Sequence, residues 1–244
     1  MEKEKAYKLL ATQEKISNRV AKDLIDRGLV YCQGNKINVA RALLDVDAKF
    51  RVEKLAEPKV IFEDKFLIAV DKPAFLTSDE VEKKFDAKLL HRLDKGTSGV
   101  ILLVKDEEFR QKAIKAFKSR KVYKEYIAVV SGKIVEPISV DEPIINIKKG
   151  NISYSKISKN GKEAITHITP MMVEGKQSKV QVVIETGRTH QIRVHLKSLG
   201  FPIVGDTTYA GRESKRMMLH AHKISLLGYE FISPEPKEFA RFAR

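Results

Sequence analysis

Apolar residues recur along this chain at two spacings, and the spacing assigns most of its elements. Val20, Ala21, Leu24 and Ile25 follow Ser17 at helical intervals, which predicts a helix capped by that serine and closed at Gly28. Leu29, Val30 and Tyr31 then form a short strand that runs into a Gly34-Asn35 hairpin turn and Ile37. Residues 60–71 read as two strands around Glu63-Asp64-Lys65, with Pro73 ending the second. Residues 100–104 are a continuous apolar strand, and 106–120 an amphipathic helix with Phe109, Ala113, Ala116 and Phe117 inward. Residues 122–130 alternate as a strand, and 179–185 do so with Val180, Val182 and Ile184 on one face. Residues 189–199 return to helical spacing through Ile192, Leu196 and Leu199, and Gly200 ends them. Strands adjoin strands as often as helices, which predicts an α+β fold. A mixed, largely antiparallel sheet with flanking helices fits better than a doubly wound one.

Composition adds a partner class. Of 244 residues 43 % are hydrophobic, enough for a core, while 46 Lys and Arg against 32 Asp and Glu leave a net charge of +14. The single cysteine, Cys32, excludes a disulfide framework and a cysteine-cluster zinc site. The start, MEKEKAYKLL, has no apolar leader, and no apolar run is long enough for a bilayer. A cytoplasmic protein, monomeric by default, is expected. The excess charge favours nucleic acid over a membrane, which would call for a basic amphipathic helix with an apolar anchor. The charged stretch 51–59, with Pro58, reads as a connector: a small unit spans 1–54, a linker 55–59 and a larger domain 60–244. Arg19, Lys22 and Arg27 line the polar face of the small unit. Arg110, Lys112, Lys115, Lys118, Arg120, Lys121 and Lys124 form a run with no intervening acid, read as a phosphate-binding face.

Functional groups are densest in His91-Arg92-Leu93-Asp94-Lys95-Gly96-Thr97-Ser98-Gly99, a turn before the apolar strand, where scaffolds commonly position catalytic groups. A salt-bridged turn, with Asp94 pairing Arg92 or Lys95, is equally open from composition alone. A triad from His91, Asp94 and Ser98 is disfavoured because triad members converge from distant segments. Neither the G-x-S-x-G elbow nor the G-x-x-x-x-G-K-[ST] phosphate loop is present. His190 and His195 do not share a helix face, and His220-Ala221-His222 lacks a third ligand nearby, so no metal site is expected.

The segment 91–99 resembles the signature of RluA-type pseudouridine synthases. A second block, Thr186 to Leu196 with Leu199-Gly200, Pro202-Ile203, Gly205-Asp206 and Tyr209, resembles the same family, as do Lys124-Glu125-Tyr126 and Leu219-His220-Ala221. Asp71-Lys72-Pro73 matches its lead-in, although Phe75-Leu76 stand where a glycine is usual. Residues 16–52 resemble the S-four RNA-binding module through Arg19, Ile25, Gly28, Val30 and Gly34.

These resemblances imply the pseudouridine synthase fold behind a small N-terminal α/β RNA-binding domain. They imply an enzyme that isomerises specific uridines without cofactor or metal. Asp94 is then the catalytic carboxylate, held by Arg193, and Tyr126 stacks on the uracil and helps remove the proton from the new attachment carbon. His91, Arg92, Arg188 and His190 position the RNA, Arg92 also helping to displace the target base. Lys115, Lys118 and Lys121 hold the RNA backbone, and the S-four-like unit grips structured RNA through Arg19, Lys22 and Arg27. Large-subunit ribosomal RNA is the expected substrate. Transfer RNA, or a non-catalytic ribosome-assembly role on the same fold, is the alternative.

Overall fold

In a computed structural model, which describes residues 2–149 and 152–242, the Ser17 hydroxyl accepts from the Val20 amide at 3.3 Å and starts the helix Asn18–Asp26. The helix ends as its sequence directs. Gly28, at φ +69°, donates to Ile25 O (2.8 Å) and Leu29 to Leu24 O (3.1 Å), a Schellman closure that the glycine's left-handed backbone permits. Strand Val30–Cys32 pairs with Asn35–Lys36 and with Phe50–Val52. Cys32 faces Asn35, so the hairpin turns at Gln33-Gly34, both with positive φ, one residue earlier than expected. A helix that the spacing did not flag, Ala6–Glu14, closes the core with Leu10 against Ile25 and Phe50. Residues Met1–Ala56 form this unit; Glu57–Arg244 form the other.

In the larger unit, the described residues build a ten-stranded sheet. Its main path runs Ile138–Asp141, Ile165–Glu174, Gln177–Ile184, Tyr123–Ser131, Leu219–Leu226, Ser98–Val104, Leu67–Lys72, Lys59–Glu63. Every pairing is antiparallel except that of Ser98–Val104 with Leu219–Leu226. Asp106 caps the helix Glu107–Lys118, which packs Phe109, Ala113 and Ala116 onto the sheet. Thr77 and Glu80 form a capping box that starts the helix Ser78–Phe85. No described helix is long and apolar enough to cross a membrane.

The parallel junction holds the sheet together at its centre. Gly99 has φ +115°, and a Cβ there would lie 2.1 Å from Ala221 O, so only glycine lets these two backbones meet. Beside it, Ser98 Oγ lies 2.8 Å from His220 Nδ1 and accepts from Arg216 Nη2 at 2.5 Å. The other His220 nitrogen lies 3.2 Å from Ser233 O, which fits a neutral ring donating there. Burial, seconded by the Arg216 guanidinium, pushes His220 down to about 4. His91 also turns inward: its Nε2 accepts from the Leu102 amide at 3.2 Å, and burial holds it down at about 4.

Two measurements follow from the junction. Gly99→Ala is expected to cost about 3 kcal/mol or more, against about 1 kcal/mol for Gly175→Ala, whose turn is open; equal shifts in denaturant midpoint would refute the close approach. Both histidines bind protons more readily when unfolded. Stability should therefore fall as pH drops from about 6.5 toward 4, with His220 supplying about 3 kcal/mol of the loss. Denaturant midpoints that stay flat on acidification, or an unaltered slope in His220→Gln, would count against the neutral buried ring.

Candidate active site

Asp94 lies in a turn, its carbonyl accepting from the Thr97 amide at 3.0 Å, directly before the buried strand Ser98–Val104. Its Oδ2 accepts from Arg193 Nη1 at 2.9 Å, and the Asp94 side chain stays 27 % exposed. The other two nitrogens of Arg193 bind Asp206: Nε donates to Oδ2 at 2.7 Å and Nη2 to Oδ1 at 2.8 Å. One guanidinium is thus shared between a carboxylate that is 2 % exposed and one that faces a cleft. Burial alone would lower the pKa of Arg193, but the two carboxylates reverse this and keep it charged. Tyr209 lies with its ring centroid 4.9 Å from the guanidinium, and its hydroxyl lies 2.9 Å from His190 Nδ1.

The helix Gln191–Ser198 aims Arg193, and the turn before it sets the aim. Gln191 Oε1 accepts from the Arg188 amide (3.0 Å) and Thr186 Oγ1 (2.7 Å), while Nε2 donates to Ile165 O (2.9 Å). His190 enters the helix at φ +57°, with Nε2 3.8 Å from Asp94 Oδ2; burial lowers its pKa although the Asp94 charge opposes this.

Tyr126 reaches the same cleft through strand register. It faces Val182 on one side and Ala221 on the other, and Ala221 in turn faces Gly99. A bulge between Glu125 and Tyr126 re-aims the side chain there. Burial, then the Asp94 charge, raises the pKa of the phenol, so it is protonated at neutral pH. The cleft, about 100 Å³, has Leu93, Tyr126, Ile192 and Leu219 as apolar walls and Arg92, Arg188 and His190 at polar positions. Such a site offers one oriented anion, a neutral aromatic face and flanking cations.

Other expected contacts are placed differently. His91 is anchored to the fold through the Leu102 amide, as described above. Arg92 is exposed but forms a fork with Asp79 (2.6 and 3.1 Å), and Arg188 Nε donates to Glu163 O at 2.8 Å. The basic run, free of acids in sequence, acquires them in space: Arg110 pairs Glu107, Lys112 pairs Glu108, and Arg120 pairs Glu163. Lys124 donates to Thr186 O at 2.9 Å, with burial lowering it to about 8. Lys115, Lys118 and Lys121 are exposed and have no ion pair among the described residues. In the small unit Arg19 is exposed, Lys22 sits 4.2 Å over the Tyr7 ring, and Arg27 Nε is bound to Asp23 at 2.5 Å.

Three site residues had no assigned role in the sequence reading: Asp206, Tyr209 and Lys72. The first two lie in the block matched by resemblance, but nothing local marks which acid braces Arg193. Lys72 is fully buried, donates to Leu76 O (2.7 Å) and Pro73 O (3.1 Å), and burial pushes it down to about 7. Phe75, where a glycine was expected, adopts φ +72°, the conformation glycine would supply.

Known proteins resemble this chain over most of its length. A family model described as RNA pseudouridylate synthase matches residues 57–198. A Helicobacter pylori (strain J99) protein described as an RNA pseudouridine synthase is 55 % identical over 240 residues, covering 97 % of this chain and 99 % of its own. A Rickettsia felis protein named ribosomal large subunit pseudouridine synthase C is 38 % identical, over 75 % of this chain and 68 % of its own. Among solved structures, human RNA pseudouridylate synthase domain containing 1 aligns with a TM-score of 0.68 and 28 % identity, covering 76 % of this chain and 87 % of that one.

Proposed function

The chain belongs to the RNA pseudouridylate synthase family, and from that premise we propose that it isomerises uridines in large-subunit ribosomal RNA with Asp94 as its catalytic carboxylate. The observation that carries this reading is the shared guanidinium: Arg193 holds Asp94 at 2.9 Å while Asp206 fixes Arg193 from behind. The name of the Rickettsia felis relative supports the choice of RNA.

The reaction breaks the bond from ribose C1′ to uracil N1, rotates the base and joins C5 to C1′. The C5 proton leaves and N1 gains one, so no redox partner is consumed. Addition of a carboxylate to the sugar, addition to the base, and removal of a ribose proton each require an anion between sugar and base. Asp94 supplies it, and Arg193 fixes its direction in a partly dry cleft. Tyr126, held protonated, enters as a neutral ring against which the uracil stacks; its hydroxyl passes on the C5 proton only as a relay, not as a phenolate. A base must leave its stack to enter, at a cost of a few kcal/mol, which phosphate contacts offset. Lys115, Lys118 and Lys121 provide such contacts, with Arg188 and His190 at the cleft edge. In the small unit, which we read as S-four-like, Arg19 and Lys22 meet RNA, whereas the Asp23 pair withdraws Arg27.

Large-subunit ribosomal RNA from cells lacking this gene is the test substrate. Asp94→Asn should abolish pseudouridine formation while RNA affinity stays within a few-fold; near wild-type turnover would reject Asp94 as the essential anion. Asp206→Asn should lower kcat by about 100-fold with KM little changed, since it loosens only the positioning of Arg193. In Lys115→Glu with Lys118→Glu, the log–log salt dependence of RNA binding should flatten by about two counterions. An unchanged slope would mean this face never meets phosphates.

A further inference from the structure

A cavity larger than the cleft lies next to it. It encloses about 460 Å³ between the hairpin Ile144–Lys149 and Ile152–Ile157, the loop that follows, and the Gly187-Arg188-Thr189 turn. Gly187 and Arg188 line both spaces, so a chain lying in the cleft continues into the cavity across Arg188. We propose that this cavity is a second nucleotide subsite, taking the base and phosphate of the residue next to the target uridine; this rests on the RNA-modifying reading above.

The lining has the chemistry for such a ligand. Asn146 and Ser155 face each other across the hairpin, and the Ser155 hydroxyl with the exposed Asn160 amide offers neutral donors and acceptors suited to a base edge. Lys162 and Arg188 supply positive charge, and no carboxylate is among the described residues that line the cavity. Arg188 is oriented by its Nε bond to Glu163 O, which leaves its outer nitrogens for a phosphate. Ser155 brings an unspent hydroxyl to this wall. It is 1 % exposed, yet its Oγ has no hydrogen-bond partner among the described residues. A buried hydroxyl left unpaired costs stability, and sites that keep one commonly do so for function.

The walls are built rather than loose. Lys162 and Ile144 exchange two backbone hydrogen bonds of 2.9 Å. Between them Gly161 packs flat, because a Cβ there would lie 2.6 Å from the Ile144 backbone. The cavity is also wired to the reacting group. The Ser155 amide donates to the Tyr209 hydroxyl at 2.8 Å, and that hydroxyl lies 2.9 Å from His190, beside Asp94. A neighbouring nucleotide held by Ser155 thereby presses on the residues that frame the catalytic carboxylate, which makes the subsite a positioning and specificity element.

The probes are dinucleoside monophosphates containing one uridine, with uridine monophosphate as the reference, titrated against wild type, Ser155→Ala and Asn160→Ala. At least one dinucleotide should bind wild type about tenfold more tightly than it binds either variant, while uridine monophosphate binds all three alike. Ser155→Ala removes an unpaired hydroxyl, so its Tm should equal or exceed that of wild type, and Asn160 is exposed and free to change. Dinucleotides that bind no better than uridine monophosphate, or that bind both variants like wild type, overturn the subsite. Binding is read without turnover, so failure to form pseudouridine in ribosomal RNA would sink the proposed activity and leave this result standing.

Discussion

One guanidinium divided between two carboxylates organises the larger unit. Arg193 is nearly buried, and an isolated cation there would be too costly to keep ionised. Asp206 removes that cost with a two-pronged bond and, in doing so, fixes the plane of the guanidinium. The one nitrogen left over then has a single direction, and it points at Asp94. A lysine could neutralise the same charge, but its single nitrogen could not fork one carboxylate and orient another. The cleft anion is therefore positioned by a buried ion pair braced from behind by Asp206. The rest of the fold brings Asp94 and Arg193 together from positions 99 residues apart.

That convergence depends on the parallel junction in an otherwise antiparallel sheet. Antiparallel neighbours can be joined by tight turns, whereas a parallel pair is joined by a long excursion of the chain. Here the excursion from Ser98–Val104 to Leu219–Leu226 contains Tyr126, Arg193, Asp206 and Tyr209. Gly99 lets the strands meet, and Ser98 fastens them through His220 and Arg216. The signature turn and the short Leu219-His220-Ala221 block are thus two halves of one contact, and the glycine serves backbone approach, not chemistry.

Much of this was legible in the sequence, and the gaps have physical causes. Strands buried on one or both faces, such as Ser98–Val104 and Gln177–Ile184, announced themselves by apolar runs or alternation. Ile165–Glu174 did not, since Pro170 and a bulge before Met172 break its alternation. Ser78–Phe85 buries little besides Val81 and so has no stripe, though Thr77 and Glu80 carry its capping signal. Asp94, Arg193 and Tyr126 were named from motif resemblance, and the fold brings them to one cleft. The braces were not recoverable: Asp206 is one of 32 acids, and only the three-dimensional path of the chain selects it. The backbone anchoring of His91 was not legible either, since nothing in a charged motif shows that its ring accepts the Leu102 amide.

The +14 charge acquires a division of labour once the pairs are known. Several arginines are committed: Arg193 to two aspartates, Arg92 to Asp79, Arg120 to Glu163. A committed cation holds its geometry but contributes little net field, because its partner cancels it beyond a few ångströms. Lysines without partners do the opposite, since a mobile, solvated ammonium attracts phosphate from any direction and specifies none. Attraction and orientation therefore draw on different residues. Such a separation lets a strongly basic surface gather RNA without disturbing the fine placement of Asp94, because Asp206 already fixes Arg193 before any phosphate arrives.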